Sequence, residues 1–244
     1  MSETALRQRP GSYARGEDTR RRILETALEI FAAEGYEGAS TRHLAERAGV
    51  NLPAIQYYFG SKEGLYRAVI EHIVQHNEAH MAPLAARVKA ALASPRSDPE
   101  LLLDLLCEIF ESFVTLVSGG AQVESRRQLY ARAEVEQSAG LELLHESGVK
   151  QIFEPCLRLV GRLLGQSTDD PATVLRTLAL FGQVTIFCNK AVRRVLRFKN
   201  FNVDRIATIQ SLVRSHTQAV MRDAMSGKRA KAPGSKVKMM GRRP

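Results

Sequence analysis

The amino-acid sequence predicts an all-α protein, and three observations carry that prediction. Apolar residues recur at three- and four-residue spacing through most of the chain, and no segment sustains the strict alternation of a strand. Leu, Ala and Arg dominate, while runs of β-branched residues are scarce. Ser, Thr, Asp and Asn at segment starts, with Gly and Pro at segment ends, divide the chain into pieces of helical length. No internal repeat is present.

Each element has its own signal. Residues 1–17 are polar and read as a flexible arm. From Asp18 a helix is signalled by Ile23, Leu24, Ala27, Leu28, Ile30 and Phe31, and Gly35 is expected just past its end. Ser40 or Thr41 caps a short second helix, which Gly49 ends. Asn51 caps a third, which Gly60 ends, and Ser61 opens a longer fourth running towards His80. "MAP" and "ASPRSDPE" punctuate the chain beyond His80. Helical patterns resume at 84–93, 100–117, 123–137, 141–164, 172–197 and 203–225. This organisation places a three-helix domain at 18–66, a larger helical domain at 67–225 and a basic, disordered tail at 226–244.

Composition narrows the classes of function. With 44% hydrophobic and 25% charged residues, the chain has the balance of an ordinary globular protein. The net charge of +9 suggests nucleic acid until it is located. There are 10 basic and 11 acidic residues in 1–80, 18 and 15 in 81–225, and 7 and none in 226–244, so the folded body is near neutral. Cys107, Cys156 and Cys188 are odd in number and unclustered, which suits buried small hydrophobes in a reducing cytoplasm. The polar, arginine-bearing start has no apolar segment after it, so no signal peptide is expected, and no stretch reaches the roughly 20 apolar residues of a membrane span.

The stretch "AGVNLPAIQYYFGSK", 48–62, raises a specific question, because a helix of about two turns is marginal alone in water. Counting from Thr41 as the first position of a helix-turn-helix resolves it. Ala45 falls where the two helices cross closely and a small side chain is required. Gly49 falls in the turn, where positive φ is needed. Leu44, Val50 and Ile55 fall where the pair docks on the first helix. Arg42, His43, Leu52, Pro53, Ala54, Gln56 and Tyr58 are left pointing outwards, while Tyr57 and Phe59 are expected to pack, one or both, into the three-helix core. Pro53 in the first helical turn removes no hydrogen bond. The N-terminal end of such a second helix enters the DNA major groove.

Residues 19–66, "TRRRILETALEIFAAEGYEGASTRHLAERAGVNLPAIQYYFGSKEGLY", resemble the DNA-binding domain of the TetR family of transcriptional regulators along nearly its whole length. The resemblance implies three N-terminal helices, a long linking fourth helix, a ligand-binding domain, and a homodimer on a double-stranded DNA operator. Family phosphate contacts map onto Thr41, Tyr58 and Lys62. Base-reading positions map onto Leu52, Pro53, Ala54 and Gln56, with Arg42, Asn51 and Tyr57 nearby. Gln56 stands where a tyrosine is frequent and Tyr58 where a histidine is frequent, so the operator sequence does not carry over. "AGVNLPAIQYYFGSKEGLY" further resembles a TetR subgroup with its own type of C-terminal domain, some members of which control drug-efflux genes.

In the TetR scheme the last two long helices form the dimer interface. Here 172–197 is apolar nearly all round, and Leu178, Phe181 and Thr185 are its candidate contacts, with Ile209, Val213 and His216 from 203–225. The alternative is the central helices of a large monomer. A small, largely apolar effector would lie among the middle helices, against Cys107, Phe110, Phe113, Phe153 and Cys156, with Arg126, Tyr130, His145 or Asn189 as polar contacts. Plain core packing is the alternative for each of these. His72, His76 and His80, spaced i, i+4, i+8, read as a solvated or domain-facing stripe rather than a metal site, since one straight helix cannot place all three on one ion. No glycine-rich phosphate loop, nucleophile elbow or paired catalytic carboxylates appear, so neither enzymatic activity nor a cofactor is expected. The sequence thus reads as a ligand-responsive regulator, with a helical lipid-binding protein or enzyme carrying a vestigial DNA-binding fold as the rival.

Overall fold

A computed structural model describes residues 10–120, 122–136, 150–189, 194 and 202–226. The described residues form helices and connecting turns, with no strand among them. The helices are α1 (Pro10–Gly38), α2 (Thr41–Arg47), α3 (Leu52–Phe59), α4 (Lys62–Ala93), α5 (Pro99–Ser118), α6 (Val123–Glu136), α7 (Lys150–Leu164), α8 (Pro171–Thr185) and α9 (Val203–Met225). A 3₁₀ turn, Ile186–Cys188, follows α8.

The amphipathic stripe of α1 builds one core. Ile23, Leu24, Ala27, Leu28 and Phe31 are buried against Leu44, Ala45 and Ile55 of α2 and α3 and against Leu65, Val69, Ile70 and Ile73 of α4. Leu129 and Ala133 of α6 complete this core, which places α6 against the N-terminal domain rather than within the body. A second core joins Leu84 and Val88 of α4 to α5, α7, α8 and α9. The fourth helix therefore belongs to both.

Three expectations change. The first helix starts at Pro10, inside the segment read as a flexible arm, because proline suits a first turn and the helical register of Asp18 onward extends back to it. Its regular path ends, as expected, at Gly35 (φ 78°, ψ 175°). The fourth helix runs through Pro83 to Ala93 instead of stopping near His80. Burial of Leu84, Val88 and Ala91 beyond the proline outweighs its roughly 3 kcal/mol penalty. The segment 172–197 does not stay α-helical: α8 ends at Thr185, and Asn189 is extended (φ −70°, ψ 112°). Gly182 followed by the β-branched run Val184, Thr185 and Ile186 has low helix propensity there. The expected helical parts 137, 141–149, 190–193 and 195–197, His145 and all of the basic tail after Ser226 lie outside the described residues.

Candidate nucleic-acid interface and cavity

The reader is assembled from caps. The Ser40 hydroxyl accepts from the His43 amide at 3.1 Å, which makes Ser40 rather than Thr41 the cap of α2. Asn51 Oδ1 accepts from the Ala54 amide at 3.1 Å, and Ser61 Oγ from the Gly64 amide at 3.0 Å. Each satisfies a helix-start donor that would otherwise go unpaired. Between α2 and α3, Gly49 takes φ 63° while the Val50 amide donates to Ala45 O at 3.0 Å.

With one face of α3 pinned by buried Ile55, the opposite face is set by helical geometry. Leu52 and Gln56, and Pro53 and Tyr57, are one turn apart, and all four are exposed. Leu52 is 49% and Tyr57 83% exposed. Of Tyr57 and Phe59, expected to pack one or both into the core, Tyr57 stays outside it. Its ring instead meets Tyr58 edge-on, with centroids 5.0 Å apart. Tyr58 and Phe59 turn inwards and pack, half-buried, on the first core, so Tyr58 is not an outward residue. The Arg20 guanidinium lies 5.4 Å over the Phe59 ring and ties α1 to the end of α3. Ala54 is half-buried, Arg42 and Asn51 exposed and Thr41 half-buried. His43 Nδ1 pairs with Glu34 at 3.2 Å. Lys62 Nζ donates to the Glu37 carbonyl at 3.3 Å and stands 4.5 Å over the Tyr36 ring, so its ammonium already fastens the end of α1 to the start of α4.

The middle-helix candidates separate. Cys107, Phe110 and Cys156 are fully buried members of the second core. Burial pushes the Cys107 thiol up to about 11 and the Cys156 thiol higher still, so both stay protonated, as inert packing groups. Phe113 stacks on Phe181 at 5.0 Å, and Phe153 meets the same ring edge-on. Tyr130 accepts a hydrogen bond from Asn77 at 3.3 Å and packs on the first core. Arg126, by contrast, lines a cleft of about 460 Å³ between α1, α4, α5 and the start of α6. His72, His76 and His80 line it too, an arrangement the histidine spacing hinted at but did not locate. Among the described residues no three His, Cys, Asp or Glu side chains are grouped so as to hold a metal ion.

The dimer candidates also separate. Ile209 and Val213 are buried in the second core, and Phe181 packs there against its aromatic neighbours, so these three serve their own subunit. Leu178 and His216 are exposed and Thr185 half-buried, beside the exposed Leu175 of α8 and Leu212 and Val220 of α9.

A capped, outward-facing third helix, docked on two others and carried by a shared long fourth, defines a helix-turn-helix DNA-binding protein. The profile described as "Bacterial regulatory proteins, tetR family" matches residues 23–69, and that of the "HTH-type transcriptional dual regulator CecR, C-terminal domain" matches 102–224, just over half of the chain. The dual regulator CecR of Shigella flexneri is 26% identical over 87% of this chain and 95% of its own. The transcriptional repressor NicS of Pseudomonas putida is 35% identical, over 39% of this chain and 42% of its own. A TetR-like transcriptional regulator from Rhodococcus sp. RHA1 shares the fold at TM-score 0.58 and 20% identity, over 86% of this chain and 97% of that one. The chain belongs to the TetR family of transcriptional regulators. No described helix is long and apolar enough to cross a membrane.

Proposed function

We propose that the protein is a homodimeric repressor of the bacterial cytoplasm, released from a palindromic operator by a small-molecule effector. The observation that carries this reading is the solvent-facing stripe Leu52, Pro53, Gln56 and Tyr57 on a helix of eight residues. Large apolar groups held in water on a capped, docked helix are explained by a partner that covers them. Gln56 can bond bidentately to adenine, and Leu52 and Pro53 suit thymine methyl groups. Thr41 and Lys62 stand at helix starts beside this stripe, where phosphates would lie.

A vestigial reader on a lipid-binding protein or enzyme has no use for such a stripe, and the exposed Tyr57 counts against it. NicS is named a repressor and CecR a dual regulator. Repression is what a bound dimer does wherever its operator overlaps a promoter.

The effector acts by linkage. A ligand that prefers the dimer form with mis-spaced readers must weaken DNA binding by the same preference. Genome-wide mapping of bound DNA, together with footprinting, tests the reading. Two inverted half-sites separated by whole helical turns are expected. Protein that binds operator and random DNA equally would sink it.

A further inference from the structure

The cleft between α1, α4 and α6 has a composition that reading DNA does not use. Its floor is apolar, formed by the buried Leu28, Ile73 and Leu116. Its rim carries the half-buried His72, the more exposed His76 and His80, and Arg126. The Arg126 guanidinium is half-buried yet makes no hydrogen bond or ion pair among the described residues. Burial pulls its pKa down, as expected of a cation withdrawn from water without a counter-ion. Glu25, the one carboxylate at the cleft among the described residues, is exposed on α1 and does not pair with it. A partly desolvated cation with no partner among the described residues is relieved by an anion supplied from outside.

We propose that this cleft binds a small organic anion, with a carboxylate head on Arg126 and the α4 imidazoles and an apolar body against Leu28, Ile73 and Leu116. The inference rests on the reading of the protein as ligand-responsive and names the chemical class of its effector. The cleft volume of about 460 Å³ lies within the range of small-molecule sites.

The place is suited to control. Gln122 Nε2 donates to the Glu25 carbonyl at 3.3 Å, and Arg132 donates to the Ala32 and Ala33 carbonyls at 2.7 and 2.5 Å. The helix that bears Arg126 is thus bonded to the first helix of the reader through Gln122, just before its start, and through Arg132. The imidazoles stand on α4, which begins directly after the recognition helix. An anion held between Arg126 and α4 acts between the elements that position α3.

Binding at this place is linked to protons. Burial lowers the pKa of His72 and of His76. At His72, Arg126 and Arg20 lower it further and Glu25 opposes them; at His76, Arg126, His80 and His72 all lower it. Tyr130 is the remaining titratable group near Arg126. The His72 and His76 imidazoles are therefore mostly neutral at neutral pH. A bound anion favours their protonated forms, so binding takes up protons and strengthens as pH falls through the histidine range.

Titration calorimetry of the full chain with naphthoate and with its neutral isostere naphthamide tests this, at about pH 6 and about pH 8. Naphthoate should bind about ten-fold or more tighter than naphthamide, the scale of a charge-assisted bond. Arg126→Gln should remove that preference and Arg126→Lys retain part of it, with thermal melts confirming that both are folded. The pH dependence should vanish in His72→Gln/His76→Gln. Equal affinity for acid and amide, no naphthoate binding, or an unchanged preference in folded Arg126→Gln would overturn the proposal. Operator titration alongside separates the two readings. Naphthoate bound as described without any change in operator affinity upholds the site and refutes its regulatory role. Operator release only by neutral compounds, with Arg126→Gln responding as wild type, upholds ligand response and overturns the anion site.

Discussion

Gln56 and Tyr57 show how much a single residue's orientation decides. Both are exposed although the neighbouring Ile55 is 2% exposed, because consecutive residues on a helix are about 100° apart. Gln56→Ala should weaken operator binding by about 1–3 kcal/mol and relax preference at one base pair while leaving random-DNA binding unchanged. Fluorescence anisotropy on operator variants measures this. Two glycines act by different physics. At Gly49 a Cβ would meet nothing within 4 Å, but φ is 63°, so Gly49→Ala should destabilise through backbone strain alone, by about 1–2 kcal/mol. At Gly64 a Cβ would lie 2.0 Å from the Phe59 carbonyl oxygen, where α3 hands over to α4. Gly64→Ala should lose roughly 1–3 kcal/mol by forcing those backbones apart. Urea denaturation gives both values. Operator affinity should fall further for Gly64→Ala, since its strain reaches the recognition helix.

At the scale of the element, α3 is too short to persist alone and depends on its ends and its docking. The Asn51 side chain holds the Ala54 amide, so Asn51→Ala should destabilise by about 1 kcal/mol and Asn51→Ser by less. Hydrogen exchange should show the loss first at the amides of residues 54–58, ahead of α1. A uniform loss of protection across the first core would instead assign Asn51 a global role. Helix α6 illustrates the complementary case. Its periodicity identifies a helix, but that its Leu129 and Ala133 join the first core is a matter of tertiary packing.

Across the whole molecule, two cores share α4, and an apolar face remains uncovered on α8 and α9. Leu175, Leu178, Leu212 and Val220 are 65%, 49%, 50% and 45% exposed. Leu212, His216 and Val220 succeed one another at one-turn spacing, as a helix face presented to a partner would. Leu212→Asp should give a folded monomer that loses tight operator binding, because two linked readers are needed for two half-sites. Ile209→Asp, three residues earlier, should unfold the subunit instead, since it places a charge in the second core. Sedimentation and circular dichroism distinguish the outcomes. A monomeric Leu212→Asp protein that binds the full operator as tightly as wild type would refute the dimer mechanism.

The all-α class, the three short helices, their stops at Gly49 and Gly60, and the caps at Asn51 and Ser61 are legible in the sequence, because each rests on chemistry within a few residues. So is the docked and outward division of α3, apart from Tyr58. Tyr58 turns inwards because which ring is sheltered depends on how α1 lies beside α3, where Arg20 reaches Phe59 and Gly16 passes near the Tyr58 hydroxyl. Pro83 departs from its local signal for a similar reason: propensity argues for a break, and burial against residues from another part of the chain overrides it. The phenylalanines and cysteines of the middle helices are recognisable as apolar, but a filled core and the wall of a cavity have the same composition. Only the packing of α1, α4 and α6 brings Arg126 and the histidines around one cleft, since Arg126 lies 54 positions beyond His72 (126 − 72) and shares no local signal with it. Likewise Ile209 and Leu212 lie on one helix, and what divides core from exposed face is the side on which α5 packs.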